Sequence, residues 1–481
     1  MVARGTKNPQ AYDVIVLGAG AGGLTVAVGA AKVGKRVALI ERGPIGGDCT
    51  NVGCVPSKTL IHLAAHGADC SPATILERVR ERRDRLRADE EAWIDGLDAV
   101  DVIRGSAHFA SAREVEVTTA SGRTDRLRAG TIVIATGSRP SRLHVDGLPA
   151  SRTLTNESLF ELTDVPRHLV VVGAGAVGTE MAFAFRSLGC HVTVVQRSGR
   201  VLTGFDPHAG DAIAGRMRDA GIDVRLGAVP QRFDETDRTL TIAREDGLHG
   251  LHDVDAVLLA VGRRPNVDAG LEAAGVRYDA SGIPTDTVGR TNVRGVRAVG
   301  DVVAGSAATH DANAAGRRVV RSIALPWLPA GAAPVRPRSV FADPEVAAVG
   351  PSEEDLAARY APELLVTMHV DLRDTDRGYT MGLDVGFVRL TALRLSGRLV
   401  AATIVAPGAG EMISLLTWAL QRRVRLWSLT GLVFPYPVLS DAIKKGADAF
   451  AFGTLPRIAS DAKTYARHRW RRPRTSRDLG R

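Results

Sequence analysis

One pattern occurs twice in this chain, and it restricts the possible folds more than any other feature. Its first copy is an apolar stretch, residues 12–17, followed by Gly18, Gly20 and Gly23, an Ala-rich segment, and a second apolar stretch that ends at Glu41. The glycines permit a tight turn, close approach of the backbone to a pyrophosphate, and packing of a helix on a strand. Glu41 stands where a ribose hydroxyl needs an acceptor, so this copy predicts a βαβ dinucleotide site.

The second copy begins at residues 168–172 and repeats the same spacing 155 positions further along the chain. Its turn contains Gly173, Gly175 and Gly178, and its second strand ends at Gln196. An internal repeat of one supersecondary unit predicts two dinucleotide domains in one α/β protein. One bound cofactor would donate hydride and the other would accept it.

The 481 residues are too many for one hydrophobic core and suggest about three domains. No apolar run approaches the roughly 18 residues of a membrane-spanning helix, and the four cysteines lack the even spacing of a secreted framework. We therefore expect a cytoplasmic protein. Apolar residues at Val79, Leu86 and Trp93, within an Arg- and Glu-rich run at residues 73–93, predict a long exposed helix.

The formal charge of +9 is concentrated at the C-terminus, where residues 456–481 contain nine Lys or Arg and two Asp. Such a basic tail can contact nucleic acid or an anionic membrane. A solvated, disordered terminus is the commoner outcome, and it is the outcome that we expect for this tail.

Two cysteines lie five positions apart in the run GGDCTNVGCVPSK at residues 46–58. A bridge between Cys49 and Cys54 would close so short a loop that it would remove little entropy from the unfolded chain. In a reducing compartment such bridges are mostly transient and catalytic rather than structural. Two reduced thiols in a loop are the alternative for an isolated pair, but beside two nucleotide units a redox-active pair is the stronger interpretation.

This run resembles the redox-active disulfide signature of the flavin-dependent pyridine nucleotide-disulfide oxidoreductases, the family of glutathione reductase, dihydrolipoamide dehydrogenase and mercuric reductase. Further runs resemble other motifs of that family: residues 131–140 with Thr136 and Gly137, residues 257–266 with Gly262, residues 294–301 with Asp301, and residues 337–350 at the start of its dimerisation domain. The matching motifs extend from about residue 12 to residue 447.

The resemblance implies an α/β fold with two Rossmann-like dinucleotide-binding domains and a C-terminal α+β dimerisation domain, assembled as a homodimer. The implied boundaries are residues 1–150 and 267–333 for an FAD-binding domain, 151–266 for an NAD(P)-binding domain, 334–455 for the dimerisation domain and 456–481 for the tail. The implied cofactors are FAD and NADPH or NADH, and no resident metal ion is expected.

The resemblance also implies a relay in which NAD(P)H reduces FAD and the flavin reduces a Cys49–Cys54 disulfide. Cys54 would form the thiolate beside the flavin, and Cys49 would be the exposed thiol that exchanges with the acceptor. Lys58 and Glu180 match the family's ion pair near the flavin. The implied FAD contacts are Gly18, Gly20, Gly23, Glu41, Arg42, Lys58, Thr136, Gly137 and Asp301, and the implied nucleotide contacts are Gly173, Gly175, Gly178, Gln196, Arg197 and Gly262.

The residues at the end of the second strand in the second copy of the pattern indicate which nucleotide binds. An acid there would accept the 2′-hydroxyl of NADH, but this chain has Gln196 followed by Arg197 and Arg200. Loss of the carboxylate removes repulsion against a 2′-phosphate, and an arginine supplies charge-assisted hydrogen bonds to it. The sequence therefore favours NADPH, the alternative being that both arginines are merely solvated.

The largest departure from the family pattern is at residues 434–441, FPYPVLSD. Members with disulfide substrates have His-Pro followed by Glu, and the histidine acts as acid and base for the leaving thiol. Tyr436 and Asp441 stand at those two positions, and a phenol with a pKa near 10 is a poor base at neutral pH. Tyrosine here resembles the mercuric-reductase-like branch, although no cysteine follows Cys190 to deliver a metal ion.

Three functions follow from these observations. The first is an NADPH-dependent reductase of the mercuric-reductase-like branch that acts on a disulfide, a metal ion or a quinone-like acceptor. The second is a dihydrolipoamide dehydrogenase. The third is a flavoprotein that binds nucleic acid or a membrane through its basic tail.

Overall fold

The computed structural model describes residues 10–67, 70–305, 308–454, 457, 460–463 and 465–466. The strands are β1 (Gln10–Leu17), β2 (Val37–Glu41), β3 (Val100–Arg104), β4 (Ser106–Ser111), β5 (Glu114–Thr118), β6 (Thr124–Ile134), β7 (Ser138–Pro140), β8 (Thr153–Leu154), β9 (His168–Val172), β10 (His191–Gln196), β11 (Asp223–Leu226), β12 (Val229–Asp234), β13 (Thr239–Arg244), β14 (Gly247–Leu251), β15 (Ala256–Leu259), β16 (Arg263–Pro265), β17 (Val296–Ala298), β18 (Pro337–Val340), β19 (Glu345–Val349), β20 (Leu365–Asp371), β21 (Phe387–Leu393) and β22 (Leu399–Ala406). The helices are α1 (Ala21–Lys32), α2 (Gly47–Asn51), α3 (Cys54–His66), α4 (Pro72–Asp95), α5 (Asn156–Leu159), α6 (Ala176–Ser187), α7 (Pro207–Asp219), α8 (Thr309–Ala324), α9 (Glu353–Arg359), α10 (Asp376–Thr380), α11 (Ala409–Gln421), α12 (Leu426–Leu429) and α13 (Asp441–Thr454).

The chain divides into two compact units, each made of two separate segments of sequence. Unit 1 lies within residues 1–167 and 255–333, and unit 2 lies within residues 168–254 and 334–481. This division into two units does not test the predicted domain boundaries at residues 150, 266 and 333, which stay a prediction. Most of the basic tail lies outside the described residues, and the expectation of disorder there stays a prediction as well.

Unit 1 is built on a parallel sheet with the strand order β3-β2-β1-β6. The long strand β6 also pairs in parallel with β17 through its C-terminal part, and through its N-terminal part with the antiparallel hairpin β4–β5. This arrangement brings the carboxyl ends of β1, β2 and β6 to one edge, where ligands of open parallel sheets bind.

Strand β1 is apolar from Val14 to Leu17 because both faces of this part of the strand are covered. Val14 and Val16 pack with residues of α1 in one core, whereas Ile15 and Leu17 face a second core formed with β5 and β6. Successive side chains of a strand point to opposite faces, so a strand buried on both sides reads as a continuous apolar run.

Unit 2 contains three sheets. Strands β9, β10 and β11 are parallel, β12-β13-β14 form an antiparallel meander, and β18-β19-β22-β21-β20 form an antiparallel sheet. Apolar residues of α11 and α13 pack against the last sheet in one core. The predicted α/β class with a C-terminal α+β domain is therefore confirmed.

The long helix predicted at residues 73–93 is also confirmed, as α4. Its inner face buries Ile75, Leu76 and Val79, but Leu86 and Trp93 are exposed. Among the described residues, no helix is both long enough and apolar enough to cross a membrane.

Candidate active site

The first glycine turn joins β1 to α1 in a conformation that requires glycine at two positions. Gly18 has a φ of +106°, where an added Cβ would lie 2.4 Å from the carbonyl oxygen of Ala135. A Cβ on Gly23 would lie 1.9 Å from the carbonyl oxygen of Gly18. Gly20 caps the helix N-terminus, so backbone N–H groups at this turn can face a phosphate.

The second glycine turn, between β9 and α6, has the same geometry. Gly173 has a φ of +103°, and a Cβ on Gly178 would lie 1.9 Å from the carbonyl oxygen of Gly173. Gly175 caps α6 and has nothing within 4 Å of an added Cβ. The repeat seen in the sequence thus extends to the backbone, and the second turn can also receive a phosphate.

The last residues of β2 and β10 make equivalent hydrogen bonds to their glycine turns. Glu41 accepts from the backbone N–H of Ala19 at 2.6 Å and from that of Gly43 at 2.7 Å. Gln196 accepts from the N–H of Ala174 at 3.1 Å. Gln196 therefore retains the contact of an acid with its glycine turn but contributes no negative charge.

The predicted nucleotide contacts around Gln196 differ in exposure. The Gln196 amide N–H groups donate to the side chain of Ser198 and, at 3.4 Å, to the carbonyl oxygen of Arg200. Arg197 is exposed, and the described part of the chain provides it with no ion pair. Gly262, with a φ of +109°, lies in unit 1 while the other predicted nucleotide contacts lie in unit 2. Their contact with one nucleotide stays a prediction.

A cavity of about 550 Å³ in unit 1 is lined by both predicted FAD motifs and by the cysteine turn. Its lining includes Gly18, Gly20, Glu41, Arg42, Cys49, Asn51, Thr136, Gly137 and Asp301. Gly23 and Lys58, also predicted as FAD contacts, do not line it. For Gly23 the reason is that this glycine serves the close packing of α1 on the turn.

Asn51 provides a direct test of whether this cavity fits FAD. Its side chain is 9% exposed, and its two amide N–H groups donate to the carbonyl oxygens of Ile45 and Gly47. Among the described residues its Oδ1 atom has no hydrogen-bond partner. A buried acceptor left unpaired at the wall of a ligand-sized cavity fits a polar group of a bound cofactor. The residues present therefore fit FAD.

Cys49 and Cys54 are free thiols that hydrogen-bond to each other. This hydrogen bond, followed by burial, raises the pKa of Cys49, so Cys49 keeps its proton and Cys54 is the acceptor. Within this chain Cys54, the first residue of α3, is exposed, whereas Cys49, inside α2, is half-buried and is the one of the two that lines the cavity. Which sulfur lies beside the flavin and which exchanges with the acceptor stays a prediction.

Thr309, which the sequence did not single out, contacts the cysteine pair. Its Oγ1 atom lies 3.2 Å from the Sγ atom of Cys54, and Thr309 is the first residue of the 16-residue helix α8. A hydroxyl donor and a helix N-terminus both favour a thiolate over a thiol. Thr309 also opposes the rise in the pKa of Cys49, so its hydroxyl favours negative charge on the cysteine pair.

Asp301 is held beside the cavity by residues that sequence reasoning also missed. The Ser138 hydroxyl donates to Asp301 Oδ2 at 3.1 Å, and Arg263 Nε lies 3.9 Å from the same oxygen. Burial raises the pKa of Asp301, while the hydrogen bond from Ser138 and the charge of Arg263 oppose that rise.

The predicted ion pair of Lys58 and Glu180 divides between the two units. Lys58 is half-buried on α3, one turn after Cys54. Glu180 is 4% exposed on α6 and accepts a hydrogen bond from the N–H of Phe341 at 2.9 Å. The pairing of these two side chains stays a prediction.

Tyr436 is 76% exposed, and its hydroxyl donates to Asp376 Oδ2 at 2.9 Å. This hydrogen bond raises the pKa of Tyr436, which makes the phenol a still weaker base. Asp441 is the first residue of α13 and acts on the phenol only through its charge. Asp376, on the short helix α10, is therefore the partner that the sequence did not indicate.

Unit 2 contains one cluster of three potential metal ligands within the described chain: Asp206, His208 and Glu353. Arg389 lies 2.9 Å from Asp206 Oδ2 and 2.7 Å from Glu353 Oε1. One guanidinium group is thus shared by both carboxylates, so the cluster is part of an ion-pair network.

Comparison with known proteins identifies related sequences along most of the chain. Residues 12–316 match the family described as pyridine nucleotide-disulphide oxidoreductase, and residues 336–447 match the dimerisation domain of that family. The chain is 32% identical to dihydrolipoyl dehydrogenase of Geobacillus stearothermophilus, over 92% of this chain and 96% of that protein. It is 33% identical to mercuric reductase of Acidithiobacillus ferrooxidans, over 93% of this chain and 84% of that protein.

A solved structure with the same fold is that of the HOCl-induced flavoprotein disulfide reductase RclA from Escherichia coli, in a Cu(II) complex. The TM-score is 0.82 at 26% sequence identity, and the match covers 92% of this chain and 99% of RclA. The similarity therefore extends through both units.

Proposed function

Because the chain belongs to the pyridine nucleotide-disulphide oxidoreductase family, it is an FAD-dependent enzyme of NAD(P)H–disulfide electron transfer, and we propose that it uses NADPH to reduce a soft metal ion. The matched dimerisation domain supports a homodimer. The observation that carries the choice of acceptor is the hydrogen bond from Tyr436 to Asp376. At the position where disulfide-reducing relatives have the acid/base histidine, this chain has a phenol, and the hydrogen bond raises the pKa of that phenol above its ordinary value.

The proposed relay assigns a role to each group of this chain. Bound FAD would supply acceptance of hydride from the nicotinamide and transfer of an electron pair to the disulfide. Reduction of the Cys49–Cys54 bond takes two electrons and one proton and yields the Cys49 thiol and the Cys54 thiolate. Cys54 then holds the thiolate, because Thr309 contacts its sulfur and Cys49 donates its S–H to it.

A soft metal ion suits this dithiol because thiolates are its preferred ligands. Its reduction returns the two cysteines to the disulfide and releases the one proton of Cys49. The electron pair reduces one Hg(II) ion to the element, or two Cu(II) ions to Cu(I). Similarity to mercuric reductase and to RclA, which was solved as a Cu(II) complex, supports this acceptor class.

The nucleotide proposed is NADPH. Gln196 contributes no negative charge against a 2′-phosphate, and Arg197 is exposed with no ion pair in the described chain. A free guanidinium group can form charge-assisted bonds to a phosphate. NADH is the alternative nucleotide.

A second candidate is dihydrolipoamide dehydrogenase activity. It is favoured by the 32% identity to the Geobacillus enzyme over 96% of that protein's length. This activity requires a base for the dithiol substrate, and Tyr436 is a weak one. A disulfide or quinone-like acceptor would likewise be reduced by the same dithiol.

The test is a turnover screen of the purified enzyme with NADPH and NADH against Cu(II), Hg(II), oxidised lipoamide, glutathione disulfide and a benzoquinone. Loss of metal-ion turnover in a Cys49→Ser variant separates enzymatic reduction from reduction by free nucleotide. Lipoamide turnover with NADH that exceeds every metal-ion rate would contradict the proposal in favour of the second candidate.

A further inference from the structure

The side chain of Arg263 contacts the cysteine turn and the flavin-site carboxylate at the same time. Its guanidinium group forms an ion pair with Asp48, the residue immediately before Cys49. Its Nε atom donates to the hydroxyl of Ser138 at 2.7 Å, and that hydroxyl donates to Asp301 at 3.1 Å. One side chain therefore connects the redox pair to the carboxylate at the cavity wall.

A second connection reaches the other part of the turn. Arg263 Nη1 donates to Asn156 Oδ1 at 3.3 Å, and Asn156 Nδ2 donates to the carbonyl oxygen of Val52 at 3.2 Å. Asp48 precedes the first cysteine, and Val52 lies between the two. The turn is thus held at two points by one guanidinium group, whose five donors in a rigid fork suit this task.

The strand that carries Arg263 explains why this arginine, and not its neighbour, points inward. Strand β16 pairs antiparallel with β7, where Pro265 lies opposite Ser138 and Arg263 lies opposite Pro140. Side chains alternate along a strand. The Arg263 side chain is 28% exposed, whereas Arg264 is exposed and has no ion pair in the described chain.

We propose that Arg263 is a positioning residue of the electron relay, which holds the Cys49–Cys54 turn in register with the flavin site. This inference rests on the proposed relay. Electron transfer from flavin to disulfide needs a fixed geometry, and a misplacement of about 1 Å costs on the order of a hundredfold in rate. Reduction of the flavin by NADPH does not need the turn, so the two steps respond differently to a change at Arg263.

The test compares Arg263→Gln with Arg264→Gln, which removes the same charge from the adjacent exposed position. Stopped-flow spectroscopy of the FAD-loaded homodimer follows flavin reduction by NADPH, and then the long-wavelength thiolate-to-flavin band. For Arg263→Gln we expect flavin reduction within about twofold of wild type and transfer to the cysteines slower by tenfold to about a hundredfold. Arg264→Gln should match wild type, and Arg263→Lys should recover part of the loss because it restores the charge to Asp48.

The outcomes separate this inference from the function on which it rests. A wild-type enzyme that never forms the band would contradict the relay itself. A wild-type enzyme with the band, together with equal transfer rates in the two glutamine variants, would overturn the role of Arg263. If Arg263→Gln does not retain FAD, the double variant Asp48→Ala with Asn156→Ala removes both connections between Arg263 and the turn and leaves Ser138 in place. Slowed transfer in that variant supports the inference, and an unchanged rate overturns it.

Discussion

The side-chain oxygen of Gln196 accepts a hydrogen bond from the backbone N–H of Ala174, as Glu41 accepts one from Ala19 at the equivalent point of the first repeat. The glutamine therefore preserves the geometry of an acidic residue without its charge. We expect Gln196→Glu combined with Arg197→Ala to shift the preference from NADPH towards NADH. Loss of charge-assisted phosphate contacts should cost about 1.5–3 kcal/mol, or roughly ten- to a hundredfold in NADPH selectivity.

The measurement is kcat/KM for both nucleotides in the reduction of the flavin. The first repeat offers a matched control, since Glu41→Gln makes the reciprocal change at the FAD site and should weaken FAD binding without altering the nucleotide preference. A wild-type enzyme that already prefers NADH would show that the argument from Gln196 and Arg197 is wrong.

The raised pKa of Cys49 makes the two cysteines chemically different. A thiol with a raised pKa has a smaller thiolate fraction at any pH below that value, so in the reduced enzyme iodoacetamide should modify Cys54 before Cys49 at pH 7 to 8. Peptide mass mapping over a time course measures both rates. Raising the pH should reduce the difference, because more Cys49 then loses its proton.

The same difference has a spectroscopic consequence. We expect the purified protein to be yellow and to develop a long-wavelength thiolate-to-flavin band on two-electron reduction. Cys54→Ser should remove the band, and Cys49→Ser should retain it. Cys70→Ser, at a half-exposed cysteine outside the pair, is the control and should behave as wild type. A band that survives Cys54→Ser would refute the assignment of the thiolate.

Thr309 contributes a hydroxyl 3.2 Å from the Cys54 sulfur. We expect Thr309→Val, which keeps the shape but removes the hydroxyl, to raise the pH at which the thiolate band appears. The loss of one hydrogen bond to a charged group costs about 1.5–3 kcal/mol, which corresponds to roughly one to two pH units. Thr309→Ser should retain the wild-type titration. Equal titrations of the valine and serine variants would show that the contact does not stabilise the thiolate.

The parts of the fold that the sequence predicted well depend on local rules. Gly18 and Gly173 need positive φ, Gly23 and Gly178 have no room for a Cβ, and these demands recur at a fixed spacing. Regularly spaced apolar residues in a charged run likewise predicted α4. Local sterics and periodicity act within about 30 residues, so one sequence contains enough information to locate such units.

The contacts that sequence reasoning missed join positions far apart in the chain. Thr309 is 255 positions from Cys54, Arg263 is 215 from Asp48, and Asp376 is 60 from Tyr436. Each depends on how separate segments meet in three dimensions. The run containing Arg263 was recognised, but the inward direction of this arginine depends on the pairing of β16 with β7, which a three-residue strand does not reveal.

The motif located the cysteine pair but did not indicate which element carries each sulfur. Cys49 lies within α2 and lines the cavity of unit 1, while Cys54 is the first residue of α3.

The hydrogen bond from Tyr436 to Asp376 leads to the last prediction, which concerns the acceptor. A phenol at this position can donate a hydrogen bond but cannot readily take a proton at pH 7, so wild-type turnover of lipoamide and of glutathione disulfide should be weak. Tyr436→His would introduce an imidazole beside the Asp376 carboxylate, which can orient it and stabilise its protonated form. Because general acid–base catalysis contributes about 10²–10⁴-fold, a gain of at least about tenfold in lipoamide turnover is expected.

Two further substitutions in the Tyr436→His background distinguish the carboxylates. Asp376→Asn should abolish the gain, since Asp376 is the hydrogen-bond partner of the side chain at 436, whereas Asp441→Asn should leave most of it. Asp441→Glu, which restores the acid that disulfide-reducing relatives carry there, should increase the gain only if that position also reaches the imidazole. Flavin reduction by NADPH should be the same in all these variants, because none of them changes the cofactor cavity of unit 1. Efficient lipoamide turnover by the wild type that falls on Tyr436→His would mean that the tyrosine already serves a disulfide substrate, and the metal-ion proposal would then be wrong.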